Sequence, residues 1–197
     1  MADRDPKADL QQYLQLGREA LVWKLEGLDE YDLRRPMVPT GTNLLGVVKH
    51  VASVEAGYLG DVFGRPFAER FPWFEPGAED NADMWATADE SPDQIVALYH
   101  RVWGHSDATI AALDLETLGA VPWWPEHRRE VTLHQILVHI ATETHRHVGQ
   151  ADIVRELIDG AVGMRADNPN LPPMDEAWWT QYRVRLERVA REAGGRP

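Results

Sequence analysis

The chain has 197 residues, of which 44% are hydrophobic, a composition suited to one well-buried domain spanning residues 1–197. A formal charge of −12 at pH 7 disfavours binding to polyanions, so neither nucleic acid nor an anionic membrane surface is an expected partner. Cysteine is absent, which excludes disulfides, cysteine-based zinc sites and a thiol nucleophile of the protein's own.

The first thirty residues contain no cationic segment followed by an apolar run. No later stretch approaches the ~18 uninterrupted apolar residues of a membrane helix. We therefore expect a cytoplasmic protein without a membrane-spanning segment.

Four long helices are predicted from apolar residues at three- and four-residue spacings. They cover residues 8–28, 44–63, 95–113 and 133–158. Residues that favour helix starts precede three of them: Thr42 or Asn43 before the second helix, Ser91 with Pro92 before the third, and Thr132 before the fourth.

The connections between these helices are long and irregular. Residues 64–94 form an acidic link with four prolines, and residues 114–132 form a second link. No stretch alternates with period two for long enough to predict a strand. An amphipathic segment, 175–193, follows a cluster of glycine, asparagine and proline. The pattern predicts an all-α fold, an antiparallel four-helix bundle with long connections and a shorter C-terminal helix.

The fourth helix carries an unusual cluster, "HIATETHRHVGQAD", with three histidines and a glutamate in positions 139–147. On a helical wheel of about 100° per residue, Glu143 lies at the edge of the apolar sector and His147 lies within it. His139 lies on the shoulder, whereas His145 and His134 point to the opposite side. Glu143 and His147 are therefore predicted to face the core.

A buried glutamate requires a compensating partner, and a histidine four residues later can bind the same cation. His50 on the second helix is a candidate third ligand, since Gly46, Ser53 and Gly57 leave space beside it. Two histidines and one glutamate form the ligand class of catalytic zinc sites with one open position. The alternative interpretation is that Glu143 and His147 are only a surface or hydrogen-bonded helix pair.

Two stretches, "NLLGVVKHVASVEAGYLGDVFG" and "TETHRHVGQADIVREL", resemble the DinB-like superfamily, in particular the actinobacterial branch that includes the N-terminal domain of mycothiol-dependent maleylpyruvate isomerase. The resemblance covers most of the chain. It implies a metal triad of one histidine on the second helix and two residues four apart on the last bundle helix, the second before a Gly-Gln pair. "HVGQ" makes His147 that residue, His50 falls on the helix-two position, and Glu143 stands where many members have histidine and the isomerase-like branch has glutamate.

The resemblance implies a metal-dependent S-transferase in which a low-molecular-weight thiol such as mycothiol attacks a small electrophile. Only a short segment follows the predicted bundle, so we expect conjugation rather than maleylpyruvate isomerisation. Zinc is the expected metal, although nickel and iron accept the same ligands. A homodimer is also expected from the family.

Two alternatives remain open. The first is a metal-dependent hydrolase, for which His139 is a candidate base, although it could instead hydrogen-bond behind the ligands or be structural. The second is a metal-binding bundle without turnover, a sensor or an assembly module.

Several side chains outside the triad have two interpretations. Four tryptophans in the connections could form the roof of a substrate pocket or cover the ends of the bundle; they are Trp73, Trp85, Trp123 and Trp124. Arg128 and Arg129 could meet a carboxylate-bearing thiol or be ordinary surface residues. Asp152 and Arg155 are predicted to form a surface pair.

Overall fold

The computed structural model describes residues 5–196 and is mostly helical, as predicted. Six α-helices lie within these residues: α1 (Pro6–Trp23), α2 (Glu30–Arg34), α3 (Leu44–Leu59), α4 (Pro92–Ala112), α5 (Leu133–Asp159) and α6 (Glu176–Ala193). Two strands, β1 (Leu118–Ala120) and β2 (Glu130–Thr132), form a small antiparallel sheet. Short 3₁₀ turns occur at Asp61–Phe63, Pro72–Phe74, Ala82–Met84 and Glu126–Arg128.

The predicted helix starts agree with the capping side chains. Asn43 accepts a hydrogen bond from the backbone N–H of Gly46, Ser91 forms a capping box with Gln94, and Thr132 caps α5. The first helix ends earlier than the predicted residue 28, at Trp23. The chain turns there through left-handed Gly27, and the separate short helix α2 follows.

The prediction that no strand is present was wrong. Each strand has three residues, too short to produce a period-two pattern, and backbone pairing of Leu118 with Thr132 defines the register. The hydrogen bond from the Val121 N–H to the Arg129 carbonyl extends this pairing towards the connecting turn. The hairpin carries Trp123 and Trp124 on its connecting segment.

The predicted shorter C-terminal helix was also wrong in length. Helix α6 has 18 residues against 16 in α3, and Asp175 caps its start. None of its residues is buried, and Val184, Leu186 and Val189 are exposed. The amphipathic pattern therefore predicted this helix correctly, but the apolar face of the helix is not buried.

Helix packing places α3 and α5 side by side. Helix α1 packs on α5, and α3 packs on both α4 and α5. The interior contains two apolar clusters, one around Leu21, Val48 and Val102 and the other around Leu14, Leu59 and Ile136. Their burial is the main force that holds the helices together.

A buried ion pair links α1 to α3. The Arg18 guanidinium donates to both carboxylate oxygens of Glu55, at 2.6 and 3.2 Å, and neither side chain is exposed to solvent. Asp107 on α4 accepts a third hydrogen bond from Arg18, at 2.9 Å. Burial alone would lower the pKa of Arg18, but the two carboxylates hold it above its ordinary value.

The predicted pair of Asp152 and Arg155 was wrong. Asp152 instead contacts the buried Lys24 ammonium, 2.5 Å from it, and Arg155 binds the Asp159 carboxylate. Arg155 also donates to the backbone carbonyls of Lys24 and Glu26. The sequence placed both residues correctly on α5. It did not predict their partners, which lie at the end of α1 and, for Arg155, also at Asp159 on α5.

None of the helices within residues 5–196 combines the length and apolar character needed to cross a membrane.

Replacement of Glu55 by alanine should destabilise the fold by about 3 kcal/mol, because the buried Arg18 then loses its fully buried carboxylate partner and keeps hydrogen bonds only to Asp107 and Gln15 among the described residues. Urea unfolding measures this change. The matched control is Glu69→Ala, which removes an exposed ion pair to Arg101 and should cost less than ~1 kcal/mol. Equal losses in the two variants would contradict a stabilising role for the buried pair.

Candidate metal centre

Three predicted ligand residues meet between α3 and α5. His50 comes from α3, Glu143 and His147 come from α5, and one ligand atom of each lies within 4.8 Å of the others. His147 is buried, whereas His50 and Glu143 are partly buried. The structure therefore brings together the residues that the sequence predicted.

Helix geometry explains how α5 supplies two of the three groups. Residues four apart lie one above the other on a helix face, and the His147 Nε2 atom lies 3.0 Å from Glu143 Oε1. The His50 Nε2 atom approaches the same oxygen at 3.9 Å. The two imidazole rings are 4.8 Å apart between centroids.

Hydrogen bonds fix the orientation of both rings. The Nδ1–H of His50 donates to Asp83 Oδ2 at 2.6 Å, and the Nδ1–H of His147 donates to Gln150 Oε1 at 2.8 Å. A neutral imidazole carries one ring proton, so each Nε2 atom then presents a lone pair to the site.

Both ring nitrogens of His147 lie within hydrogen-bond distance of an oxygen, Gln150 Oε1 and Glu143 Oε1, and a neutral ring can donate to only one of them. With the proton on Nδ1, the three facing atoms are all acceptors, which fits a cation. Burial lowers the pKa of His147, and the positive form of His50 lowers it further, against the opposing effect of Glu143. A neutral His147 cannot neutralise the facing carboxylate by itself. Two imidazole nitrogens and a carboxylate oxygen are ligand types that zinc, nickel and iron accept.

Asp83 is a site residue that the sequence did not predict. It lies within the acidic 64–94 connection, which looks solvated from composition alone. The 3₁₀ turn Ala82–Met84 presses against the start of α3, where Asn43 donates to the Met84 carbonyl at 3.1 Å. The only local signal is Asn81, whose left-handed backbone (φ 60°) begins this turn.

The other histidines of α5 do not join the cluster. His145 bonds to the Tyr13 carbonyl through Nε2, and His134 is exposed. The His139 ring packs against Tyr58 and Trp124, with centroids 4.6 and 5.3 Å apart, and makes no hydrogen bond within residues 5–196. Burial lowers the pKa of His139, partly offset by Glu143.

The loop tryptophans occupy different positions in the structure. Trp73 and Trp124 pack against the apolar clusters and donate to Ser53 and Tyr58. Trp123 lines a cavity beside α3, and Trp85 is exposed.

The two arginines of the hairpin contact Trp124. Arg128 stacks over the indole ring, and Arg129 donates to the Trp124 carbonyl at 2.8 Å. These contacts stabilise the position of the tryptophan and give no support for a ligand contact.

The candidate metal centre lies inside a segment that matches a known protein family. The family described as "MST: Mycothiol-S-transferase" matches residues 9–160, more than half of the sequence and all of the segment that contains the three ligand residues. No curated protein matches the chain.

Replacement of Gly46 by alanine should separate Asp83 from His50. A Cβ atom at residue 46 would lie 1.8 Å from the Met84 carbonyl oxygen, so the backbone of the Ala82–Met84 turn must move. We expect a destabilisation of about 1–3 kcal/mol, by overpacking, and loss of the His50 Nδ1–H tautomer in ¹⁵N NMR of the metal-free protein.

Gly104→Ala is the matched control, because Gly104 lies in α4 and no neighbouring atom lies within 4 Å of the place that an alanine methyl would take. This substitution should stabilise the helix by about 0.5–1 kcal/mol. If Gly46→Ala behaves like the control and keeps the tautomer, the turn does not fix His50.

Proposed function

The chain belongs to the mycothiol-S-transferase family, and we propose that it transfers the sulfur of a low-molecular-weight thiol such as mycothiol to a small electrophile, with a divalent metal held by His50, Glu143 and His147. The observation that carries the metal assignment is the convergence of two imidazole nitrogens and one carboxylate oxygen from two helices, all within 4.8 Å of one another.

The protein's own residues supply binding and orientation in this proposal. A divalent metal at the site would lower the pKa of a thiol that binds it, so that the thiol loses its proton at neutral pH. Glu143 contributes one negative charge and the histidines none, which leaves a net positive charge to attract the sulfur. Three protein ligands also leave a position open for it.

The absence of cysteine agrees with this assignment. The protein has no thiol of its own that could act as the nucleophile or compete for the metal. The sulfur must therefore enter with the substrate, as the family description requires.

The proposal also includes the helix arrangement, the metal, the cellular location and the oligomeric state. We infer that α1, α3, α4 and α5 form an antiparallel four-helix bundle within one domain, 1–197. Zinc is the proposed metal, with nickel and iron as alternatives. A cytoplasmic location and a homodimer complete the proposal.

The metal content of the purified protein tests the assignment of the three metal ligands directly. Wild-type protein purified without a metal-affinity step should contain ~1 equivalent of zinc, nickel or iron per chain. His50→Ala, Glu143→Ala and His147→Ala should each lose most of it, and His134→Ala, an exposed histidine of the same helix α5, should retain it. Metal that is absent from wild type, or unchanged in all three variants, would exclude the triad.

A thiol-consumption assay separates the proposed transferase from its alternatives. Mycothiol mixed with an electrophile should be depleted by the metal-loaded protein and not by Glu143→Ala. Stoichiometric metal without thiol depletion would favour a metal-binding module, and ester cleavage without added thiol would favour a hydrolase.

Asp83→Asn should weaken metal affinity by about 10–100-fold, because an amide is a weaker acceptor for the His50 Nδ1–H and can rotate to present its NH₂ group. Competition with a chromophoric chelator measures this affinity. Asp80→Asn, a substitution of an exposed acid in the same connection, is the control. Equal affinities for the two variants would show that Asp83 does not orient His50.

A further inference from the structure

A cavity of about 630 Å³ lies beside α3, between this helix, the 61–75 segment and Trp123. This volume is within the range of about 300–1,000 Å³ that is usual for small-molecule sites. None of the three ligand residues lines it. The cavity is therefore a separate feature from the metal centre and needs its own explanation.

The cavity and the candidate metal centre lie along the same face of α3. Val54 and Gly57 line the cavity and lie on the same side of the helix as His50, one and two turns later. With a rise of about 1.5 Å per residue, they lie about 6 and 10 Å from His50 along the helix axis. A small molecule in the cavity could thus place a reactive atom near the metal.

Aromatic contacts connect the two regions on the other side. The Trp123 indole N–H donates to the Tyr58 hydroxyl at 3.1 Å, and the Tyr58 ring packs on His139, which lies one turn before Glu143. Trp124 donates to the same hydroxyl at 2.8 Å. Through Tyr58 and His139, the cavity wall is therefore connected to α5, which carries two of the ligand residues.

The large apolar side chains of the cavity wall are mainly aromatic. Phe67, Phe71, Phe74 and Trp123 line the cavity, and Phe67 stacks on Phe71 with 5.8 Å between centroids. The Trp123 ring lies against Gly57, where a Cβ atom would be 3.4 Å from it. Such walls favour a flat apolar ligand.

The charged groups of the cavity are mainly acidic. Asp61, Glu69 and Glu75 line it together with one base, Arg70, which pairs with Glu75. Glu69 pairs with Arg101 outside the lining, so these three acids and two bases leave a net charge of about −1. Asp61 is exposed, and partial burial raises the pKa of its carboxyl, an effect that His105 opposes. An anionic ligand would be repelled there.

We propose that this cavity binds the electrophile of the transfer reaction and selects uncharged aromatic electrophiles over anionic ones, an inference that rests on the proposed function. In a reaction with 1-chloro-2,4-dinitrobenzene, the thiol sulfur forms a bond to the ring carbon that carries chlorine. Chloride leaves with the electron pair of the broken C–Cl bond, and the thiol proton is released to the buffer.

Binding can be measured without turnover. We would use 1,3-dinitrobenzene, which has no leaving group, and 3,5-dinitrobenzoate, its anionic counterpart, by equilibrium dialysis against the metal-loaded wild-type protein. The neutral compound should bind about tenfold more tightly. Asp61→Asn should reduce this difference to about threefold, since one of the repelling charges is removed.

Two cavity variants and one control locate the binding site. Phe74→Ala and Trp123→Ala remove exposed side chains of the wall and should each raise the Kd for 1,3-dinitrobenzene about three- to tenfold. Tyr31→Ala removes another exposed aromatic side chain, which lies outside the cavity, and should leave the Kd unchanged.

The outcomes distinguish this inference from the function on which it rests. If 1,3-dinitrobenzene fails to bind, binds equally to both cavity variants and wild type, or binds no better than 3,5-dinitrobenzoate, the cavity assignment is wrong even when thiol transfer is observed. If binding depends on Phe74 and Trp123 but no electrophile is conjugated to mycothiol, the cavity assignment stands and the proposed function fails.

Discussion

The buried ion pair of Arg18 and Glu55 connects α1 to α3, one of the two helices that carry the candidate site. Glu55 lies five residues after His50 on α3, and Asp152 lies five residues after His147 on α5. Each of these two acids contacts a basic residue at or near α1, Arg18 and Lys24 respectively. Both contacts join to α1 or its C-terminal end, so they tie the axial positions of α3 and α5 to the same helix.

The arrangement of the candidate site favours a bound cation. With the ring protons on Nδ1, three acceptor atoms lie within 4.8 Å of one another, and partial burial limits the water that can screen them. The donors of both histidines point outward to Asp83 and Gln150, so the rings cannot turn a proton into the centre without losing those bonds. This arrangement costs stability in the metal-free protein and prepares the site for a ligand with positive charge.

The sequence predicted those parts of the site that depend on local periodicity. Glu143 and His147 are four residues apart on one helix, so their shared face follows from helix geometry, whereas the position of His50 needed the family resemblance. Asp83 could not be predicted, because its role depends on a turn packed against Gly46 from 37 residues away. The two strands were too short to produce a sequence pattern. The exposed helix α6 shows that an amphipathic pattern predicts a helix but does not predict whether its apolar face is buried.

Small residues on α3 link the metal centre to the rest of the molecule. Gly46 admits the turn that orients His50, Ser53 accepts the Trp73 indole N–H, and Gly57 allows Trp123 to lie against the helix. Each lacks the bulk that would push the connecting segments outward, so acidic and aromatic loop residues approach the helix backbone closely. The long connections, which have little regular structure of their own, therefore derive their conformation from one face of α3. The same face of α3 carries His50 of the candidate metal centre and, one and two turns later, the residues that line the aromatic cavity. Under the proposed function, this arrangement would bring a thiol and an apolar electrophile close together.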